Sequence, residues 1–278
     1  MKFFIRKVLL YLLVVFLIAL PGEIYMIKDT KICIIKGISG SEVLYAINKS
    51  HTKKVVRRII IGDSVGNQLY PSGNDYDSTV SLACNGEITM AGQYFLLKNF
   101  IDANEEVIPE EVILLITPFS LSNDVDEYAY QNFLKPFPPS KYSVYYTEHL
   151  TQRIHSIPLF WTANLPFIQT SNYTPQWAIP SPQSVKSISP LSYEYLLKID
   201  SITSKNNMAF RMVSTPVRDD RKKEIESFWK DLDPYYLEQL FHLLQPYKES
   251  IVFMPADCYV DNLHLCVDKI PKNYLEKR

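Results

Sequence analysis

Short apolar runs alternate with amphipathic segments along most of the chain, and this alternation predicts an α/β fold. Strands are predicted at 59–61, 79–83, 111–117, 209–216 and 250–254, because each run is short, apolar and mostly β-branched or aliphatic. Helices are predicted at 90–103, 221–232 and 234–247, where apolar positions recur with helical spacing. Strand, helix and strand at these intervals are typical of βαβ units, so a parallel sheet is expected.

The alternation lapses between about residues 125 and 205, where prolines and aromatic residues are frequent. We interpret this stretch as an insertion that covers the carboxyl edge of the sheet as a cap or lid. Most of its aromatic side chains are expected to pack, and a minority could present flat faces to a sugar. Those aromatic residues are Phe133, Phe137, Tyr142, Tyr145, Tyr146, Phe160, Trp161, Phe167, Tyr173, Trp177, Tyr193 and Tyr195.

The N-terminus has the layout of a secretory signal or membrane anchor. Lys2, Arg6 and Lys7 precede an unbroken apolar run over 8–20, which is short compared with the ~20 residues of a full membrane span. Because Ala-Leu-Pro-Gly-Glu at 19–23 fits a cleavage site poorly, an uncleaved anchor over 1–27 is favoured over a cleaved signal. The body of the protein is then expected outside the cytoplasm, with an irregular lead-in over 28–52, a candidate strand at 31–36 and the α/β domain at 53–278.

Composition excludes some classes of function. The formal net charge is −1, so the protein has no strongly basic surface of the kind that binds nucleic acid. A chain of 278 residues is long enough for one α/β domain with insertions. The four cysteines form no C-x-x-C pair and no zinc spacing, so neither a metal nor another cofactor is predicted. Cys258 and Cys266 could form a disulfide in an exported protein or remain free thiols. Nothing in the sequence indicates an oligomeric state.

Two short segments carry candidate chemistry. Ser64 ends Gly-Asp-Ser directly after the first strand, at the carboxyl edge of the sheet, where ligand sites form in open α/β folds. Asp261 and His264 lie three residues apart after the last predicted strand, so one short loop can present a carboxylate and an imidazole. A serine becomes a nucleophile when a base accepts its proton. The alternative for Ser64 is a helix N-cap, which serine often provides, and the alternative for His264 is an ordinary surface histidine.

With these segments in this order, the chain resembles the SGNH (GDSL-type) hydrolases and acyltransferases over about residues 55–265. The resemblance implies a three-layer, flavodoxin-like fold in which Ser64 is the nucleophile, His264 the base and Asp261 the residue that orients the imidazole. In that family the oxyanion is held by the serine amide, a glycine amide after the second strand and an asparagine side chain after the third. In this sequence, Gly86 and the adjacent Asn85 follow the second predicted strand, where the resemblance places that glycine, so both are candidates to donate to the oxyanion.

The asparagine region departs from the family pattern, because a strict G-x-N-D is missing. The segment from Thr117 to Asp124 ends in Asn-Asp, so Asn123 is the candidate for the asparagine that donates to the oxyanion. The alternative is that Asn123 is only a turn residue. This departure fits better the divergent branch that resembles membrane-anchored polysaccharide O-acetyltransferases and teichoic-acid acyl-transfer proteins. We therefore expect serine-dependent acyl transfer or ester hydrolysis on a cell-envelope glycan by a membrane-anchored, extracytoplasmic protein. The alternatives are a general esterase or lipase on small esters, and a non-catalytic envelope or glycan-binding protein that kept the fold.

Overall fold

The computed structural model describes residues 2–28, 41–74, 76–137, 139–157 and 187–277. Its strands are β1 (Arg58–Gly62), β2 (Thr79–Ser81), β3 (Glu111–Ile116), β4 (Ala209–Ser214), β5 (Val217–Arg218) and β6 (Phe253–Met254). Its main helices are α1 (Lys2–Lys28), α2 (Ser41–Ser50), α3 (Ser64–Leu69), α4 (Thr89–Ala103), α5 (Glu148–His155), α6 (Pro190–Lys205), α7 (Lys222–Lys230), α8 (Pro234–Gln239) and α9 (Phe241–Glu249). Short helical turns connect several of them.

The predicted parallel sheet is confirmed. Four strands pair in parallel in the order β2-β1-β3-β4, and the register places Gly62 opposite Leu115. The short strand β5 follows β4 after two residues and pairs in parallel with β6. The order of the four-stranded sheet is consistent with a flavodoxin-like fold.

The sheet is buried on both faces, which explains why its strands are continuously apolar. Alternate residues of β1 belong to two separate apolar clusters: Ile59 and Ile61 to the larger, Ile60 to the smaller. The larger cluster contains residues of α2, α4, α6 and α9, whereas the smaller contains residues of α3 and of the C-terminal segment. The result is the three-layer arrangement that the alternation of strands and helices favours.

The lead-in differs from the expectation of irregular structure. Residues 41–50 form the helix α2, and Val43 and Ala46 are fully buried in the larger cluster. Burial of this apolar side against α4 stabilises a helix that is too short to be stable alone. The candidate strand at 31–36 lies outside the described residues.

The expected insertion is in part regular structure. Residues 190–205 form α6, which packs on α4 and β4 and so is the helix of the crossover between β3 and β4. Five of the described aromatic residues pack around Phe95 of α4: Phe137, Tyr142, Tyr145, Tyr146 and Tyr195. Phe133 contacts Tyr128, and Tyr193 stacks on Tyr236. Phe160, Trp161, Phe167, Tyr173 and Trp177 lie outside the described residues, so their role as a cap remains a prediction.

The N-terminal basic and apolar segment forms the helix α1, and its large apolar side chains between Phe3 and Ile18 are exposed. Within the described part of the chain, no helix combines the length and the hydropathy of a candidate membrane span.

Candidate active site

Ser64 is the first residue of α3, and the preceding Asp63 is the N-cap. The Asp63 Oδ1 atom accepts hydrogen bonds from the amides of Val65 at 3.1 Å and Gly66 at 2.9 Å. A carboxylate in this position satisfies amides that the first turn of a helix leaves without partners. The alternative that Ser64 caps the helix is therefore wrong, and its hydroxyl is not engaged in capping.

The other carboxylate oxygen of Asp63 binds the segment after β3. Asp63 is only 3% exposed. Its Oδ2 atom accepts hydrogen bonds from the Thr117 amide at 2.6 Å and from the Ser120 hydroxyl at 2.7 Å. One buried side chain thus joins the carboxyl ends of β1 and β3 and fixes the turn that carries Ser64.

Two glycines allow this turn to lie directly against β3. A Cβ atom at Gly62 would lie 2.2 Å from the Leu115 carbonyl oxygen, and one at Gly66 would lie 2.4 Å from the same atom. These distances are far inside van der Waals contact, so a larger residue at either position must displace the backbone. The spacing of Gly62, Ser64 and Gly66 therefore reflects the close approach of β1 and α3 to β3.

Ser64, His264 and Asp261 form a continuous chain of hydrogen bonds. The His264 Nε2 atom lies 2.8 Å from the Ser64 Oγ atom, and the His264 Nδ1 atom lies 2.7 Å from the Asp261 Oδ2 atom. The two segments that carry candidate chemistry in the sequence are thereby in direct contact, although they lie 200 residues apart in the chain. The distances are those of a serine whose proton can pass to an imidazole.

Asp261 also organises its own loop. Its Oδ1 atom accepts hydrogen bonds from the amides of Leu263 and His264, each at 2.7 Å. Partial burial raises the pKa of the Asp261 carboxyl, but the bonds from the two amides and from the imidazole outweigh it, and the net pKa is lowered. Asp261 is therefore a carboxylate at neutral pH, as a group that stabilises an imidazolium must be.

The loop of Asp261 and His264 is closed at its base by an antiparallel bridge between Tyr259 and Leu265. Cys258 and Cys266 flank this bridge, and the Cys266 amide donates to the Cys258 carbonyl at 2.8 Å. Both cysteines are free thiols. Of the two alternatives for this pair, the structure has the unbridged one.

Gly86 lies beside the Asp63 turn. It begins a single turn of 3₁₀ helix, and the first amides of such a turn have no intrahelical partner. A Cβ atom at Gly86 would lie 3.1 Å from the Asp63 Cβ atom and 3.4 Å from the Ser120 Oγ atom. The absence of a side chain therefore lets this amide segment approach the residue before Ser64 closely.

Asn123 lies beside Gly86, whereas the Asn85 side chain bonds to groups away from the serine turn. The Asn123 Nδ2 atom donates to the Gly86 carbonyl at 3.2 Å, while the Asn123 carbonyl accepts from the Ser189 hydroxyl at 2.7 Å at the start of α6. The Asn85 Oδ1 atom instead accepts from the Glu87 amide at 2.9 Å, and the Asn85 side chain also hydrogen-bonds Glu42 of α2. Asn85 thus caps its own turn, whereas Asn123 holds the Gly86 segment.

Sequence reasoning did not identify Asp63 and Ser120 as the residues that fix the serine turn. An aspartate before a short helix is a recognisable N-cap signal. Its pairing with Ser120 depends on the β1–β3 register and has no local signal. Within the described ranges, no group of three or more His, Cys, Asp or Glu side chains is arranged to hold a metal ion.

No protein-family model matches this sequence, and no curated protein or solved structure matches it either. The chemistry of the site itself is therefore the basis for inferring its function.

Proposed function

We propose that this protein carries out serine-dependent acyl transfer or ester hydrolysis through an acyl-enzyme on Ser64. The observation that carries the proposal is the hydrogen-bond chain from Asp261 through His264 to Ser64, at 2.7 Å and 2.8 Å. A nucleophile, a base and a group that orients the base are the three parts that acyl transfer needs. Their mutual contact argues against a non-catalytic protein that merely kept the fold.

In the proposed reaction, the Ser64 Oγ atom attacks the ester carbonyl carbon while His264 Nε2 accepts the hydroxyl proton. Asp261 stabilises the resulting imidazolium, which then donates the proton to the leaving alcohol. The proposed donors to the oxyanion are the backbone amides of Ser64 and Gly86 and the second hydrogen of the Asn123 side-chain amide, whose other hydrogen is bonded to the Gly86 carbonyl. Because Asn85 is engaged by Glu87 and Glu42, we assign it no donor role in this mechanism. Water or a sugar hydroxyl then attacks the acyl-enzyme.

We propose a cell-envelope glycan as the substrate and an extracytoplasmic location. The support is the resemblance to the divergent, membrane-anchored SGNH branch, together with α1. The large apolar side chains between Phe3 and Ile18 are exposed and lie next to basic residues at the N-terminus. An exposed apolar surface of this kind is typical of a site that binds a membrane or another protein. We propose that α1 anchors the protein to a membrane, so that the α/β domain acts near the membrane surface.

A second candidate is a general esterase on small esters. The side chains of His264 and Asp261 are 34% and 52% exposed, so the base lies at the surface of the described part of the protein. A small soluble ester could reach such a base without a dedicated glycan groove. Both candidates share the acyl-enzyme and differ in the acceptor.

The test is labelling of the full chain in detergent with a serine-directed phosphonate, followed by intact-mass measurement. We expect one adduct on the wild type and none on Ser64→Ala, with a rate on His264→Ala lower by about 10²- to 10⁴-fold. His242→Ala is the matched control, because His242 also lies 3.2 Å from a carboxylate oxygen, that of Asp200, but is not paired with a serine. A folded wild type that takes up no phosphonate would contradict the proposal.

The acceptor is then identified with an activated acetyl ester as donor. Transfer of the acetyl group to added envelope-type oligosaccharides, detected by mass, would support the glycan candidate. Release of free acetate at the same rate with and without oligosaccharide would support the small-ester candidate.

A further inference from the structure

Gln68 links the helix of Ser64 to the loop of His264. It lies four residues after Ser64 on α3, so the two side chains share one face of the helix. The Gln68 Nε2 atom donates to the Leu265 carbonyl at 3.2 Å, and the Leu265 amide donates to the Gln68 Oε1 atom at 3.0 Å. Leu265 is the residue that follows His264.

The chemistry of this contact suits glutamine. A peptide unit presents one donor and one acceptor, and a side-chain amide can satisfy both at once. A glutamate or a lysine can satisfy only one of them, and an alanine satisfies neither. The reciprocal pair therefore fixes both the distance and the orientation of the Leu265 backbone relative to α3.

This fixation matters because, in the described part of the chain, the other bonds of the His264 loop do not connect it to α3, apart from the contact of His264 with Ser64 itself. The Asp261 side chain bonds only within the loop, the base of the loop is an antiparallel bridge, and Arg218 binds the exposed outer side. The 2.8 Å contact between His264 and Ser64 requires that two segments 200 residues apart in sequence keep one relative position. Small displacements of a base from its nucleophile reduce rates strongly.

We infer that Gln68 is a positioning residue that holds His264 against Ser64. It acts through the Leu265 backbone and does not touch the substrate. The inference depends on the proposed role of His264 as the base for Ser64.

The experiment compares Gln68→Ala and Gln68→Glu with the matched control Asn67→Ala in the full chain. Asn67 is the neighbouring residue of α3, and its Oδ1 atom accepts from the Ser72 amide at 2.8 Å, away from the His264 loop. For Gln68→Ala we expect a limiting rate of phosphonylation reduced about 10- to 100-fold, with an unchanged inhibition constant. Gln68→Glu keeps one of the two hydrogen bonds, so its rate should lie between those of Gln68→Ala and the wild type. Asn67→Ala should react at the wild-type rate.

A second measurement does not depend on reactivity. In chain labelled with ¹⁵N-histidine, the Nε2 resonance of His264, assigned with His264→Ala, reports the hydrogen bond with the Ser64 hydroxyl, and Ser64→Ala gives its position when that bond is absent. Gln68→Ala should shift this resonance towards its position in Ser64→Ala, while the proton on Nδ1 stays with Asp261 because that contact lies within the loop. Asn67→Ala should keep the wild-type pattern.

The two measurements separate the two hypotheses. A wild type without phosphonate uptake, together with an Nε2 resonance that shifts only in the Gln68 variants, would overturn the proposed function and retain the positioning role. Wild-type labelling rates and an unchanged Nε2 resonance in both Gln68 variants would overturn the positioning role. A loss of rate in Gln68→Ala matched by Asn67→Ala would also overturn it, because the cause would then be general destabilisation of α3.

Discussion

The nucleophile and the base of the proposed site are supported in opposite ways. The Ser64 turn is held by Asp63, which is 3% exposed and accepts four hydrogen bonds from α3 and from the segment after β3. The base is oriented by Asp261, whose side chain is 52% exposed and whose three hydrogen bonds all come from residues 263 and 264. One carboxylate joins two strands, whereas the other organises a surface loop.

This difference separates stability from reactivity. Removal of a buried group that satisfies several amides leaves them unpaired in the interior, which lowers the free energy of unfolding. Removal of a contact in an exposed loop exposes the freed groups to water, so folding is little affected while the geometry at His264 changes. Removal of the buried contacts of Asp63 should therefore act on folding, whereas removal of contacts in the His264 loop should act mainly on rate.

The largest effect is expected from Asp63→Ala. The Thr117 amide and the Ser120 hydroxyl lose their buried acceptor, and α3 loses its cap. We expect the free energy of unfolding to fall by about 3–5 kcal/mol, measured by urea unfolding followed by circular dichroism.

The matched control for Asp63 is Asp126→Ala. Asp126 is also an N-cap, but it is exposed and caps one short turn through the Ala129 amide at 2.8 Å. Its removal should cost about 1 kcal/mol. Equal losses of unfolding free energy in the two variants would show that burial does not increase the contribution of Asp63 to stability. The contrast between Asp63 and Asp261 would then be wrong.

A smaller effect, on rate, is expected from Gly86→Ala. The new Cβ atom would lie 3.1 Å from the Asp63 Cβ atom, so the Gly86 segment must shift away from the serine turn and its amide moves with it. We expect the phosphonylation rate to fall by about 10- to 100-fold, because a displaced oxyanion donor stabilises the transition state less.

Gly73→Ala is the control for Gly86, because a Cβ atom at Gly73 meets nothing within 4 Å. It should react at the wild-type rate. If Gly86→Ala reacts as fast as Gly73→Ala, the Gly86 amide is not an oxyanion donor and the mechanism would need another one.

Arg218 offers a test at the outer side of the loop. Its Nη1 atom donates to the Asp261 carbonyl at 2.9 Å and to the Asn262 Oδ1 atom at 3.2 Å, and its Nη2 atom pairs with Asp220 at 2.6 Å. Arg218 itself is partly buried, but its partners Asp261, Asn262 and Asp220 are exposed. Arg218→Ala should therefore lower the phosphonylation rate only about twofold to fivefold. The control Arg57→Ala breaks an exposed pair with Glu110 elsewhere on the sheet, and equal rates in the two variants would exclude a role for Arg218.

The strands were predictable because their signals are local. The pairing of Ser64 with His264 was predictable because each follows a predicted strand, in an order that resembles a known family. Three consecutive isoleucines at 59–61 form a buried strand in many contexts, and a polar triplet after such a strand lies at the carboxyl edge. The helix α6 also had local signals that the surrounding prolines obscured. Ser189 and Pro190 are an N-cap and a first-turn proline, and Leu191, Tyr195 and Ile199 recur at helical spacing on its buried side.

The remaining features depend on contacts between distant segments. Asp63 binds Thr117 and Ser120, and Gln68 binds Leu265, only because the sheet and the C-terminal segment fold onto them. The helix α2 is stabilised by burial against α4, so its short sequence does not by itself predict a helix. A single sequence gives residue types and spacing, and these pairings require the fold.

The smallest effect concerns the pH dependence of stability at Asp261. Its pKa is lowered in the folded protein, so the carboxylate contributes stability that is present above the ordinary aspartate pKa of about 3.9 and is lost as the pH falls through the folded-state pKa. Because the side chain is largely exposed, the contribution should be about 0.2–1 kcal/mol. The measurement is the difference in free energy of unfolding between wild type and Asp261→Asn, in which the titrating groups that do not contact Asp261 cancel. This difference should shrink as the pH falls from 5 to 3, and a difference that stays constant over that range would mean that the Asp261 carboxylate does not stabilise the fold.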